Sequence, residues 1–338
     1  MSITVLQESL QKVSLRKDLV FEEAYGSMLD LMSGEASDAQ IGAFLVALKV
    51  KGESIDEIAG LAKGMREKAV KVKASGNIID TCGTGGDRAG TFNISTTAAF
   101  VIAGAGVKVA KHGNRSISSK SGSADVLVAL GISIESEIHV IEKELEEIGI
   151  AFLFAPRIHT SMKHVMKARK DLAMPTVFNI LGPLTNPVDL TGQVMGIYRR
   201  DLVLPLARVL RKLGRKNAVV VNGGGNIDEA SLSNDNYVAI LNGNIIEERQ
   251  IDSKSYGLDY ADNSMLLGGS PEENAKITIS ILSGGKGPHR DVVLLNSALG
   301  LITSGTVETI EEGIKIAEES IDSGKALAKL IKLQNFDK

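Results

Sequence analysis

The chain has 338 residues, 43% hydrophobic and 23% charged, the size and composition of a soluble globular protein with two domains or one large α/β domain and an appendage. A net charge of −3, no Trp and 4% aromatic residues argue against a general nucleic-acid binder. The single cysteine, Cys82, fits a reducing compartment; the first residues do not read as a signal peptide and no apolar run reaches about 18 residues, so a cytoplasmic protein is expected.

Residues 1–72 read as helices only. The segments SDAQ (37–40) and SIDE (54–57) are capping boxes, each opening an apolar-periodic run, and Gly34 and Gly52 stand where the preceding helices should stop. Ile41, Phe44, Leu45 and Leu48 share one face, as do Ile58, Leu61 and Met65. So small a helical unit has little core of its own and should pack on the rest of the chain, on a second copy, or on both. The expected organisation is a helical domain over 1–72, joined by part of 165–190, and an α/β domain over 73–338.

From Asn77 the pattern changes. NIID (77–80) reads as a strand running into a glycine-rich loop, followed by a helix near 94–104. VKVAK (107–111) is a second strand, followed by a loop and a helix from about Ser123. IAFLF (150–154), GQVMGIY (192–198) and KNAVVVN (216–222) are further strands, with a helix at 201–213. Such alternation predicts a mostly parallel sheet covered by helices. YVAIL (237–241) and NIIEERQI (244–251) flank Asn242 and Gly243, a hairpin signal, and SPEE (270–273) opens a helix. RDVVLLN (290–296) reads as a last strand and 306–333 as helix. The stretch 171–189, with Pro175, Pro183 and Pro187, interrupts the alternation and reads as a hinge or a return into the helical unit.

The chemistry concentrates between Asp87 and Asp125. These 37 intervening residues hold no carboxylate but carry Arg88, Lys108, Lys111, Arg115 and Lys120. The loop GTGGD (83–87) fits neither a Walker A loop nor G-x-G-x-x-G, since Arg88 takes the third-glycine place. A tight turn capped by Asp87 would also explain it. Yet FNIST (92–96) then puts hydroxyls and an amide at a helix N-terminus, where phosphate is favoured, and KHGNRSISS (111–119) adds cations and hydroxyls after the next strand. Loops after neighbouring parallel strands meet at one crevice, so a polyphosphate site is expected there. Asp228 and Glu229 follow another strand and glycine-rich turn; they read as a surface turn or as Mg²⁺ ligands beside phosphate. Cys82 reads as a small side chain beneath the loop, not as a nucleophile. His159 and His164 lack zinc spacing.

Together DTCGTGGD (80–87), FNIST (92–96), KHGNRSISSKSGSADVLVALG (111–131), FNILGPLTNP (178–187), GNIDEASL (225–232) and GPHRDVVLLN (287–296) resemble the anthranilate phosphoribosyltransferases. The resemblance covers nearly the whole chain. It implies a small helical domain and a larger α/β domain with the active site between them, a homodimer through the helical domain, and transfer of the 5-phosphoribosyl group of phosphoribosyl pyrophosphate (PRPP) to anthranilate with Mg²⁺, two ions being expected. It also implies PRPP contacts from Gly83, Gly86, Asp87, Thr91, Asn93, Ile94, Ser95, Thr96, Lys111, His112, Gly113, Asn114, Arg115, Ser118, Ser119 and Ser123. Gly83, His112, Asn114, His159, Arg169, Gly182 and Pro183 match the anthranilate side, and Ser95, Asp228 and Glu229 the metal positions. Lys111, Asp87 and Arg169 are the residues expected to carry catalysis. The chain departs from the family pattern at Thr160, Ser161, Met174, Pro175 and Asn222. Two rivals remain: a pyrimidine nucleoside phosphorylase, which usually starts the glycine loop with Lys-His-Ser where this chain has Asp80, Thr81 and Cys82, and a non-catalytic relative binding nucleic acid through its basic loops.

Overall fold

The computed structural model describes residues 4–116 and 120–336. Ser118 and Ser119 lie outside the described residues. Helices α1 (Val5–Ser14), α2 (Phe21–Ser33), α3 (Asp38–Lys51) and α4 (Ile55–Lys68) come first. Strand β1 (Ile78–Gly83), α5 (Ile94–Gly104), β2 (Lys108–Gly113), α6 (Ser123–Ala129), α7 (Ile138–Lys143) and β3 (Ile150–Phe154) follow. Next are α8 (Ala155–Ile158), α9 (Lys163–Leu172), α10 (Phe178–Leu184), β4 (Gly192–Gly196), α11 (Val203–Lys212) and β5 (Asn217–Asn222). The hairpin of β6 (Asn236–Asn242) and β7 (Ile245–Ile251) precedes α12 (Pro271–Leu282), α13 (Pro288–Thr303), α14 (Ile310–Asp322) and α15 (Lys325–Gln334).

The chain divides into two compact units. One is helical and comprises residues up to Lys71, Pro156–Pro187 and Arg208–Gly214. Within it α2 packs on α4, α1 on α2 and α3, α9 on α2 and α3, and α10 on α4. Both capping boxes form: the Ser37 and Ser54 hydroxyls accept the backbone N–H of Gln40 and Glu57, each at 3.3 Å. Glu57 also accepts Leu19 N–H at 2.9 Å and pairs with Lys51 at 2.8 Å, so this buried carboxylate is paired and hydrogen-bonded.

The other unit, Val72–Ala155, Val188–Ala207 and everything from Arg215 onward, is α/β. Its seven strands run in the order β3-β2-β1-β4-β5-β6-β7, parallel from β3 to β5 and antiparallel through the hairpin. Every residue of α5 is buried, and α13 packs against α5, β1 and β4. This corrects one expectation. RDVVLLN is not a strand but lies inside α13, whose first turn is opened by Pro288. Its residues Val292, Val293, Leu294 and Leu295 are all buried, because α14, α5 and the sheet enclose the helix, and a helix covered all round shows no polar stripe.

Candidate active site

The α/β unit builds the site at the carboxyl ends of β1, β2 and β5. Loop 83–87 leaves β1, and the turn after β5 returns Asp228 against it. The fit requires glycines: a β-carbon on Gly83 would stand 2.7 Å from Asp228 Cγ, and one on Gly196 2.5 Å from the Asp228 carbonyl carbon. Asp228 Oδ2 accepts Gly85 N–H at 2.6 Å, and Asp87 Oδ1 accepts Ala89 N–H at 3.1 Å. Asp228 N–H points to Asp87 Oδ2 at 3.4 Å. Next to these, Glu229 Oε1 accepts Ser95 N–H, the second amide of α5, at 3.2 Å. Lys111 Nζ, rising from β2, donates to Ser95 Oγ at 3.3 Å and to the Thr81 carbonyl. Lys111, Ser95, Glu229, Asp228, Gly85 and Asp87 therefore form one cluster.

Asp228 and Glu229 keep some contact with solvent, yet protein surrounds them closely. Burial, then the neighbouring Glu229 and Asp87 charges, push the Asp228 carboxyl well above its ordinary range. Burial pushes Glu229 up to about 7, with the Lys111 ammonium acting against the rise. Among the described residues no three His, Cys, Asp or Glu side chains form a closed metal cage. Two crowded carboxylates beside a hydroxyl are instead a hard-oxygen donor set, suited to Mg²⁺, which keeps waters and shares its coordination with phosphate. A divalent cation there would relieve the repulsion that raises both groups.

The remaining residues of the α/β unit divide. Asn93 Oδ1 accepts Asn274 Nδ2 at 2.9 Å and Ser121 Oγ at 3.3 Å, which fixes its side chain at the mouth of α5. Neither Asn274 nor Ser121 was legible as a partner; Asn274 is 181 positions away on α12. Ser123 Oγ lies where a β-carbon on Gly113 would approach to 3.0 Å. Thr91 bridges Leu267, and the side chains of Ile94 and Thr96 are buried, while the first two amides of α5 donate to the Phe92 carbonyl at 2.8 Å and to Glu229. Arg115 is engaged elsewhere, paired with Asp125 at 2.9 Å. Asn114 is exposed, His112 buried, and Gly86 sits in the left-handed region at φ 86°. Burial drives the Cys82 thiol pKa well up, so it is held as a neutral thiol beside Asp80. Asn222 donates to Ile197 O at 2.9 Å and thereby joins the ends of β4 and β5.

In the helical unit, Arg169 lies in the last turn of α9 with its guanidinium 4.8 Å from the centre of the Phe178 ring. Burial lowers its pKa, and among the described residues no carboxylate pairs with it. His159 is buried just before the short helical turn 160–162, Gly182 and Pro183 lie in α10, and Met174 is exposed.

A model of the glycosyl transferase family α/β domain matches residues 75–327, and one of the family's helical bundle domain matches 7–69. The fold and site thus define a two-part glycosyl transferase. An anthranilate phosphoribosyltransferase of Bacillus cereus is 56% identical over 95% of this chain and 94% of its own length. The crystal structure of the Thermus thermophilus anthranilate phosphoribosyltransferase superposes with a TM-score of 0.92 at 40% identity, over 97% of this chain and 98% of that one. The Saccharomyces cerevisiae enzyme in complex with PRPP and Mg superposes at 0.88 with 30% identity, over 97% and 96%. Its complex with 4-fluoroanthranilate superposes at 0.87 with 29% identity, over 98% and 97%. The chain belongs to the anthranilate phosphoribosyltransferase family.

Proposed function

We propose that this protein transfers the 5-phosphoribosyl group of PRPP to the amine of anthranilate, releasing pyrophosphate and giving N-(5-phosphoribosyl)anthranilate, a step of tryptophan biosynthesis. The observation that carries this reading is the meeting of Lys111, the α5 N-terminus and the glycine loop with Asp228 and Glu229 in one cluster. Breaking the bond from ribose C1 to pyrophosphate leaves negative charge on the departing group and positive charge on the ring. Preorganised donors aimed at the departing group lower that barrier most. Lys111 supplies one, and the amides of Gly85 and Ser95, which Asp228 and Glu229 hold in the free chain, would be released when those carboxylates turn to a cation. Asp228, Glu229 and Ser95 are the residues to hold Mg²⁺, with Asp87 nearby, and two ions are the expected complement. When bound, Mg²⁺ neutralises charge on the diphosphate.

Arg169 is the proposed partner of the anthranilate carboxylate: a planar, half-buried guanidinium with no carboxylate partner among the described residues suits bidentate pairing. The aromatic amine is neutral near pH 7, so it attacks C1 without prior deprotonation and loses its proton afterwards. Catalysis then rests mainly on placing two substrates together. His159, Gly182 and Pro183 belong to the aromatic side of this reading, and the Asn93–Ser123 segment to the phosphate side.

A cytoplasmic homodimer completes the reading. No described helix is long and apolar enough to cross a membrane. Val5, Leu15, Val20 and Val50, all in the first 50 residues, remain exposed at 40%, 69%, 54% and 64%. Sedimentation at micromolar concentration should give twice the chain mass; a monomer at every concentration would remove the dimer. For the activity, protein is mixed with PRPP, Mg²⁺ and anthranilate, and loss of anthranilate fluorescence is followed. Turnover is expected only with all three present; phosphorolysis of thymidine or uridine instead would assign the protein to the nucleoside phosphorylases.

A further inference from the structure

The ladder between β1 and β2 stops early. Its register runs through Ile78↔Lys108 and Ile79↔Val109, whereas β1 stays paired with β4 as far as Gly83↔Gly196 and β2 with β3 as far as Gly113↔Phe154. The directions of the peptide groups identify the rung that is replaced. Ile78 C=O accepts from Thr191 and Thr84 N–H donates to Gly196, both on the β4 side, so by alternation Thr81 faces β2. Val109 N–H donates to Gly149 O on the β3 side, so His112 faces β1. The next rung of a regular ladder would run from His112 N–H to the Thr81 carbonyl.

Each of those groups is taken by a side chain from the opposite strand. Asp80 Oδ1 accepts His112 N–H at 3.2 Å, and Lys111 Nζ donates to Thr81 O. Residues one step out of phase point to opposite faces of a sheet, so the carboxylate and the ammonium enter the gap from opposite sides. Asp80 is fully buried and Lys111 is 2% exposed, so neither bond has water to replace it.

We propose that Asp80 is a positioning residue for the phosphate site: by standing in for the Thr81 carbonyl it frees that carbonyl to aim the Lys111 ammonium, and it holds the end of β2 beside β1. This rests on the phosphoribosyl reading of the cluster. Without an acceptor at position 80, His112 N–H either stays buried and unpaired or closes onto Thr81 O. The second outcome displaces Lys111 from its carbonyl, and with it the cation beside Ser95 and Glu229.

Three substitutions test it: Asp80→Asn keeps the acceptor without charge, Asp80→Glu keeps charge but moves the acceptor, and Asp80→Leu removes both. PRPP with Mg²⁺ and anthranilate are titrated separately by calorimetry, and exchange of the His112 amide is followed without ligand. We expect Asp80→Leu and Asp80→Glu to weaken PRPP about tenfold or more and to leave anthranilate within about twofold, with Asp80→Asn recovering to within about threefold. Faster His112 exchange in the Leu variant than in the Asn variant is also expected. PRPP affinity unchanged in all three variants, with only the unfolding midpoint lowered, would overturn the proposal. Should the Leu variant fail to fold, the Asn and Glu pair decides, since a role in charge alone predicts the reverse order. Wild-type protein that binds no PRPP would sink the phosphoribosyl reading, while the exchange measurement still reports on Asp80.

Discussion

Single residues in this protein carry more electrostatic strain than its near-neutral composition suggests. Arg169 is partly desolvated with no counter-charge among the described residues, so the energy of its burial is recovered when an anion arrives. Arg169→Ala should therefore raise the KM for anthranilate by about tenfold to a hundredfold and change that for PRPP little, the loss of one charged hydrogen-bond partner being worth roughly 1.5–3 kcal/mol. Equal effects on both substrates in steady-state assays would take Arg169 off the carboxylate. Residue types and spacing marked Lys111 and Ser95 for a phosphate crevice, whereas Asp228 and Glu229 read equally as a surface turn until the fold set them against the glycine loop and α5. Asp80 was not legible in this role. It reads as part of a strand, and only the interrupted register shows that its carboxylate does a backbone's work.

At the scale of elements, close approach decides more than propensity. A β-carbon on Gly60 of α4 would stand 2.8 Å from Ala24 Cβ and 2.9 Å from Tyr25 N on α2, whereas one on Gly42 of α3 meets nothing nearer than Leu172 Cδ2 at 4.0 Å. Intrinsic propensity favours alanine at both helix positions by about 1 kcal/mol. Gly60→Ala should nevertheless destabilise the protein by about 1–3 kcal/mol through overpacking, while Gly42→Ala should stabilise it by up to about 1 kcal/mol. Urea midpoints compare the two; the same sign at both sites would refute the contact argument. The capping boxes at Ser37, Ser54 and Ser270 were readable because their bonds span three residues. The helix α13 was misread because the short run VVLL has no polar face to show its period, although Pro288 at its first turn carried the same signal that marked α12 at Pro271.

For the molecule as a whole, the crowded carboxylates make stability depend on pH and on metal. Glu229 has a folded pKa near 7 against an unfolded reference of 4.5, so the folded state holds the extra proton between those values. Its contribution is full below about pH 4.5 and is lost as pH rises toward 7, to a limit of about 3 kcal/mol. Asp228 acts in the same direction. Without metal, wild-type protein should lose more stability between pH 5 and 7.5 than Glu229→Gln does, and millimolar Mg²⁺ should restore wild type at pH 7.5 but not at pH 5. Urea titrations with and without Mg²⁺ check this, and identical pH slopes for the two proteins would refute it. The sequence by itself determined the helical start, the strand–helix alternation, the glycine loop and the acid-free basic stretch, since each depends on neighbours a few positions apart. Only the tertiary structure decided that α13 is a buried helix, that Asn274 steadies Asn93, and that Asp80 and Lys111 exchange partners across two strands. Those bonds join groups 30 to 181 positions apart, and chain folding alone brings such groups within reach.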